Sequence, residues 1–148
     1  MAVQVKATYK LTGWNAPQLK LRIPQILTAY GTALDQQLKT EIQTSQFSWP
    51  RTTKRRNNQT VSSPRDIVDL GGLLRSQKRD RPTATQLRFI WDVLSKDGFP
   101  YAPLILTGYT TSRGTVVPPR NWIKPALDAV PLEQFFAKEW RKLSNLGL

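Results

Sequence analysis

PQILTAYGTALDQQLKTEIQT, residues 24–44, is the stretch on which the fold turns. Leu27, Tyr30, Leu34, Leu38 and Ile42 recur at spacings of three and four, with Ile23 and Ile26 leading in. That period sets them along one side of a helix, opposite Gln36, Gln37, Lys39 and Glu41. Pro24 suits a first helical position, where its missing N–H has no intrahelical partner to lose. The stretch predicts an amphipathic helix of ~20 residues, from Pro24 to about Thr44, with one face to bury.

The segments around it supply a sheet to bury that face against. VQVKATYKL, residues 3–11, alternates strictly, so Val3, Val5, Ala7, Tyr9 and Leu11 share one face of a strand. A turn is expected at Thr12–Pro17. ATQLRFIWDVL, residues 84–94, alternates through Leu87, Phe89, Trp91 and Val93 and predicts a central strand, with Ile90 and Leu94 partly burying its second face. Lys96-Asp97-Gly98 makes a turn, and Tyr101–Leu106 is a short apolar element, strand or helix, that Gly108 ends. DIVDLGGLLRSQKR, residues 66–79, predicts a short helix capped by Asp66 or Asp69, with Leu70, Leu73 and Leu74 inward. The C-terminal segment, residues 119–148, is mostly helical. One apolar face holds Trp122, Ile123, Ala126 and Leu127, the next Phe135, Phe136, Trp140 and Leu143, and Pro131 forces a kink or restart between them. The fold class is therefore α+β: a small, mostly antiparallel sheet with a long amphipathic helix packed on it, a C-terminal helix and a long basic loop. At 148 residues the chain fits a single domain.

That basic loop, residues 46–65, has no apolar periodicity and is too long for a tight connection. It is expected to order fully only against a partner. The formal net charge is +12, and between Arg51 and Arg88 ten Lys and Arg face three Asp, so this segment supplies +7 of it. Such a balance points to a polyanionic partner, nucleic acid or an acidic protein surface. Arg51, Lys54, Arg55 and Arg56 are the candidate contacts for DNA or an acidic partner, with Trp49 beside them as a surface on which a base could stack. A solvated basic loop is the plainer reading of the same residues. No helix-turn-helix, zinc-finger, RNP or KH pattern accompanies them.

Catalytic chemistry finds little to work with. Histidine and cysteine are both absent, which removes the commonest general base, the commonest metal ligand, disulfides and thiolate sites. The ten carboxylates form no paired motif, and Asp92 with Lys96 lacks the second carboxylate a metal nuclease needs. Gly71-Gly72 runs into Leu73-Leu74 rather than the Lys-Ser/Thr of a phosphate loop. No enzyme activity, catalytic residue, metal or cofactor is expected. No apolar run is long enough to span a bilayer, and the N-terminus has no apolar core of a secretory signal.

One segment is stiff without guarding any reactive group. VVPPRNWIKPAL, residues 116–127, holds Val117 and Pro118 extended and gives Arg120 and Trp122 a fixed trajectory. Low entropic cost of placement suits an interface, and a rigid loop covering one end of the sheet explains it equally well. Pro118, Pro119, Arg120, Trp122 and Pro125 are the candidate interface residues.

Three ordered pieces carry a family resemblance: Val68-Asp69-Leu70-Gly71-Gly72-Leu73-Leu74-Arg75-Ser76, Tyr101-Ala102-Pro103 running to Gly108, and Pro119-Arg120-Asn121-Trp122-Ile123-Lys124-Pro125-Ala126-Leu127. In this order and spacing the chain resembles the tail-completion, or head–tail joining, proteins of tailed bacteriophages, the minor tail protein Z-like group. Asn121 stands where that family often has proline, and Leu70-Gly71-Gly72 varies its threonine-glycine start. The resemblance implies a structural protein of the virion neck, made in the host cytoplasm and assembled as a homo-oligomeric ring, sixfold or twelvefold. Such a ring joins the head connector or stopper to the tail and lets DNA pass; a tail terminator capping the tube is the near alternative, and a non-specific nucleic-acid-binding module the alternative from another class.

Overall fold

The computed structural model describes residues 2–8 and 17–145. In chain order they form β1 (Val3–Thr8), α1 (Pro17–Gln43), β2 (Thr53–Lys54), β3 (Thr60–Val61), α2 (Gly72–Ser76), β4 (Gln77–Asp80), β5 (Gln86–Trp91), α3 (Ala102–Thr107), β6 (Tyr109–Thr110), β7 (Val116–Val117), α4 (Ile123–Ala129) and α5 (Leu132–Asn145). This is an α+β domain of small antiparallel sheets, with a long helix at the front of the chain and helices at its end. The main sheet has the order β1-β5-β4, so β5 is central, as its alternation predicts. Val3 pairs with Trp91, Val5 with Phe89 and Ala7 with Leu87, and each pair shares one face. Leu87, Phe89 and Trp91 are buried on that face, under the α1 stripe of Tyr30, Leu34, Leu38 and Ile42. The other face carries the ion pairs Arg88–Asp80 and Lys78–Asp92 around a half-buried Ile90.

Several boundaries differ from the sequence reading. Tyr9–Leu11 and the turn residues 12–16 lie outside the described residues. The long helix opens at Pro17, so Pro24 is interior rather than first. An interior proline removes one backbone hydrogen bond, and packing on both sides of it outweighs that loss. Ile23, Ile26 and Leu27 lie against Phe136 of α5, with Trp140 and Leu143 alongside. The Pro24 carbonyl also accepts hydrogen bonds from Thr28 Oγ1 at 2.8 Å and Arg81 Nη1 at 3.0 Å.

The helix predicted over 66–79 is a single turn, Gly72–Ser76, preceded by Gly71 in the left-handed region and capped by neither Asp66 nor Asp69. Its expected second half, Gln77–Asp80, is a strand, because its backbone finds a partner in β5. Leu73 is buried and Leu74 half-buried, but Leu70 is 51% exposed. Leu94 lies beyond the strand and is 58% exposed, so it covers no second face. The Lys96–Gly98 turn is present, with the Gly98 N–H donating to Ser95 O. The element at 101–106 is a helix that Gly108 ends. Pro131 separates α4 from α5, and the Val130 carbonyl at that joint accepts the Tyr30 hydroxyl at 3.0 Å. No helix among the described residues is long and apolar enough to cross a membrane.

Candidate functional site

The segment read as a structureless basic loop is a hairpin, and its own side chains hold it. Phe47 and Arg65 exchange both backbone hydrogen bonds at 2.9 Å, which ties the loop's ends together. Between them β2 and β3 pair antiparallel around a turn at 55–59, with Asn58 at φ 68°, a conformation asparagine tolerates. Arg55 starts that turn and points inward. Its side chain is 4% exposed, and Nη2 donates to the Asp66 carboxylate at 2.5 Å and to the Asp66 carbonyl at 3.1 Å. Arg55 is therefore a structural ion pair rather than a free contact. Arg56 is exposed and sits 3.6 Å from Asp69, while Arg51 and Lys54 are exposed. The hairpin's ends, strands and turn are tied by backbone hydrogen bonds within the chain.

The proline-stiffened segment also resolves differently. Trp122 is fully buried, edge-on to Trp91 with ring centroids 5.4 Å apart, and it belongs to the main core. It cannot meet a sister subunit while the domain is folded. Asn121 remains exposed, and its Oδ1 accepts the N–H groups of Ile123 and Lys124 at 3.0 Å, capping the start of α4. That gives a reason for asparagine where the resembled family often has proline. Pro119 is exposed, and Pro118 and Pro125 are half-buried.

Arg120 is drawn inward by its backbone. Its N–H donates to Ile105 O of α3 at 2.8 Å, which pulls residues 117–120 against the end of that helix. Gly108 permits the approach: its φ is +72°, and a Cβ there would meet Val117 O at 2.6 Å and Pro119 N at 2.7 Å. The result is an arginine only 8% exposed. Its guanidinium carbon lies 4.7 Å from the Trp49 ring centroid, and that of Arg65 lies 4.3 Å from the same ring. Trp49, read as a surface for a base, carries two cations instead.

These residues line a cleft of ≈ 610 Å³ between the hairpin, α2, the 93–96 segment and α3. Exposed Lys54, Arg56, Arg75 and Lys96 and the deeper Arg55, Arg65 and Arg120 contribute seven cations to its lining, against the single carboxylate of Asp69. The remaining lining mixes the hydroxyls of Thr53, Ser95, Tyr101 and Tyr109 with apolar groups, of which Ile67, Leu73 and Ile105 are buried and Leu70 and Leu94 exposed. Arg55 has its carboxylate, and Arg65 donates to Thr53 Oγ1 at 2.7 Å. Among the described residues Arg120 has neither a carboxylate nor a hydrogen-bond acceptor for its side chain, and its buried Nε is unsatisfied. Burial, then the charge of Arg65 and, more weakly, of Arg55 pull its pKa down to about 10, with Tyr109 acting the other way. Burial and the charge of Arg55 lower that of Arg65 as well. Both are cations at neutral pH.

Sequence reasoning singled out Arg51, Lys54, Arg55, Arg56 and Arg120, of which all but Arg51 reach the cleft. It missed Arg65, Arg75 and Lys96, because nothing in their local pattern says that three separate segments converge. No group of three or more His, Cys, Asp or Glu that could hold a metal occurs among the described residues. Compared with family models, with curated proteins and with solved structures, the chain finds no match.

Proposed function

We propose that this chain is a structural component of a tailed-phage virion neck, forming a ring that joins the head connector to the tail and leaves a passage for DNA. The observation that carries the reading is the meeting of the three motif pieces, which are far apart in sequence. Gly72 of the first packs on Tyr101 of the second, where an added Cβ would come within 2.6 Å of the Tyr101 hydroxyl. Arg120 of the third is hydrogen-bonded to Ile105 of the second. Leu73, Ala102, Ile105, Trp122, Ile123 and Ala126 then share one core. A set of residues that forms one unit is better grounds for a family resemblance than three unrelated short matches. In this reading most of the motif residues build the domain, and contacts with neighbouring neck proteins fall to what is exposed around the cleft, Leu70 of the first piece and Leu94 above all.

Electron microscopy of the virion with this chain labelled tests the proposal. Density for it as a ring between capsid and tail is the expected result, and its location in the capsid shell or tail fibres would overturn it. Leu70→Glu and Leu94→Glu alter only exposed side chains. Each should leave filled heads and finished tails unjoined, and normal virion yield from both would remove these residues from the interface.

A further inference from the structure

A buried, unpartnered arginine is an expensive thing for a fold to hold, and here the fold goes out of its way to hold it. Gly108 must adopt a positive φ, and the Arg120 backbone must reach Ile105, before the guanidinium can enter the cleft. The side chain is more than nine-tenths buried, lines the cleft, and has an unsatisfied Nε. Arg65 lies over the same indole, and it too has a buried Nε without an acceptor. Two guanidiniums thus lie against one ring, Arg120 has no acceptor for any side-chain nitrogen among the described residues, and Asp66 and Asp69 are paired with Arg55 and Arg56 instead.

We propose that the cleft is a seat for a carboxylate on an acidic, apolar-flanked peptide segment of a partner protein, with Arg120 and Arg65 as its guanidinium ligands. Depth and lining choose this occupant. A duplex presents its phosphates on a broad convex surface and is met by protruding cations, whereas Arg120 is recessed and reached only by a group that projects. Leu70 and Leu94, both exposed, flank the site with apolar surface that a peptide's own apolar side chains would cover. The chain's net charge of +12 favours an acidic partner over a second copy of itself. Lys54, Arg56, Arg75 and Lys96 around the opening would speed the encounter, and the recessed pair would set how long the complex lasts. The inference rests on the cleft alone and stands or falls separately from the neck assignment.

The test uses the full chain and three labelled probes: a short peptide with two glutamates between leucines, its glutamine counterpart, and an oligothymidylate of similar length. Fluorescence anisotropy should show the glutamate peptide binding at least about tenfold tighter than the glutamine one. Arg120→Gln should remove most of that difference and Arg120→Lys part of it, since lysine keeps the charge but not the fork. Lys138→Gln, an exposed change on α5, should have no effect. Because a variant can fail for other reasons, the wild-type Arg120 Nε–H resonance is followed by NMR, and it should shift on adding the glutamate peptide. Equal affinity for the two peptides, or an Arg120 Nε–H that does not move, overturns the proposal. So does an oligothymidylate that binds tighter than the glutamate peptide and loses its affinity in Arg120→Gln, which would make the cleft a nucleic-acid seat.

Discussion

Two tryptophan clusters stand at opposite extremes of the same domain. In the core, Trp91 and Trp122 meet edge to face, Phe89 stacks beside Trp91, and the Trp91 Nε1–H is satisfied by Gln77 Oε1 at 3.2 Å. In the cleft, Trp49 is half-buried and its ring neighbours are Arg65 and Arg120. The first cluster removes apolar surface from water and closes the sheet under α1. The second gathers like charges that repel one another and leaves an arginine unpaired. Burial of apolar surface accounts for the first arrangement, although it leaves the Trp122 Nε1–H without an acceptor, and it does not account for the second. Trp122 is only two positions from Arg120, so one chain segment anchors in the core and aims into the cleft.

The largest effect expected from breaking this contrast is at its core end. Trp122→Ala should cost about 3–5 kcal/mol in urea unfolding, because the cavity would open inside the main core beside Trp91. A loss below about 1 kcal/mol would mean that the core does not close on this ring. Next is the joint. Gly108→Ala places a methyl group within 2.6 Å of Val117 O at a φ of +72°, and should cost about 2–3 kcal/mol. The same variant should move the Arg120 Nε–H resonance, since the segment carrying it can no longer lie against α3.

The smallest effect is electrostatic and lies on α1. Burial raises the pKa of Asp35, but hydrogen bonds from Lys39 and Gln77 and the charge of Lys39 outweigh it and hold the carboxyl below its usual range. A carboxylate whose folded-state pKa is depressed adds stability above its unfolded pKa and loses it as pH falls through the folded one. Unfolding measured between about pH 5 and pH 2 should therefore show a loss of about 0.5–1 kcal/mol that Asp35→Asn abolishes. An unchanged acid profile in that variant would show that the pair on α1 contributes nothing.

What could be read from the sequence divides along the same line as the two clusters. Leu87, Phe89 and Trp91 alternate, and Tyr30, Leu34, Leu38 and Ile42 repeat at helical spacing, so strand, helix and core were legible from local period alone. Pro24 misled because a proline at the first helical position is a strong local signal, and here Pro17 occupies that position while α5 holds the turns around Pro24. Gln77–Asp80 was read as helix because its strand character comes from pairing with β5, which no window of sequence contains. The cleft was hardest. Arg55, Arg56 and Arg120 could be picked out by charge and stiffness, but the burial of Arg55 against Asp66, and of Arg120 over Trp49, depends on contacts across 11 residues and across nearly half of the chain. For Trp122 the sequence supports two readings, an apolar helix face and an interface, and its burial bears out the first: a rigid segment says that a side chain is aimed, not whether it is aimed in or out.

The central claim, that Arg120 is kept for what it binds rather than for the fold, is tested most directly by equilibrium urea unfolding of Arg120→Met. The substitution retains most of the packing volume, removes a cation–π contact worth about 0.5–2 kcal/mol, and relieves an unpaired buried charge of comparable or greater cost. The variant should be as stable as the wild type to within about 0.5 kcal/mol, or more stable. A loss of about 2 kcal/mol or more, on the scale of a core truncation, would contradict the claim and make Arg120 part of what holds the domain together.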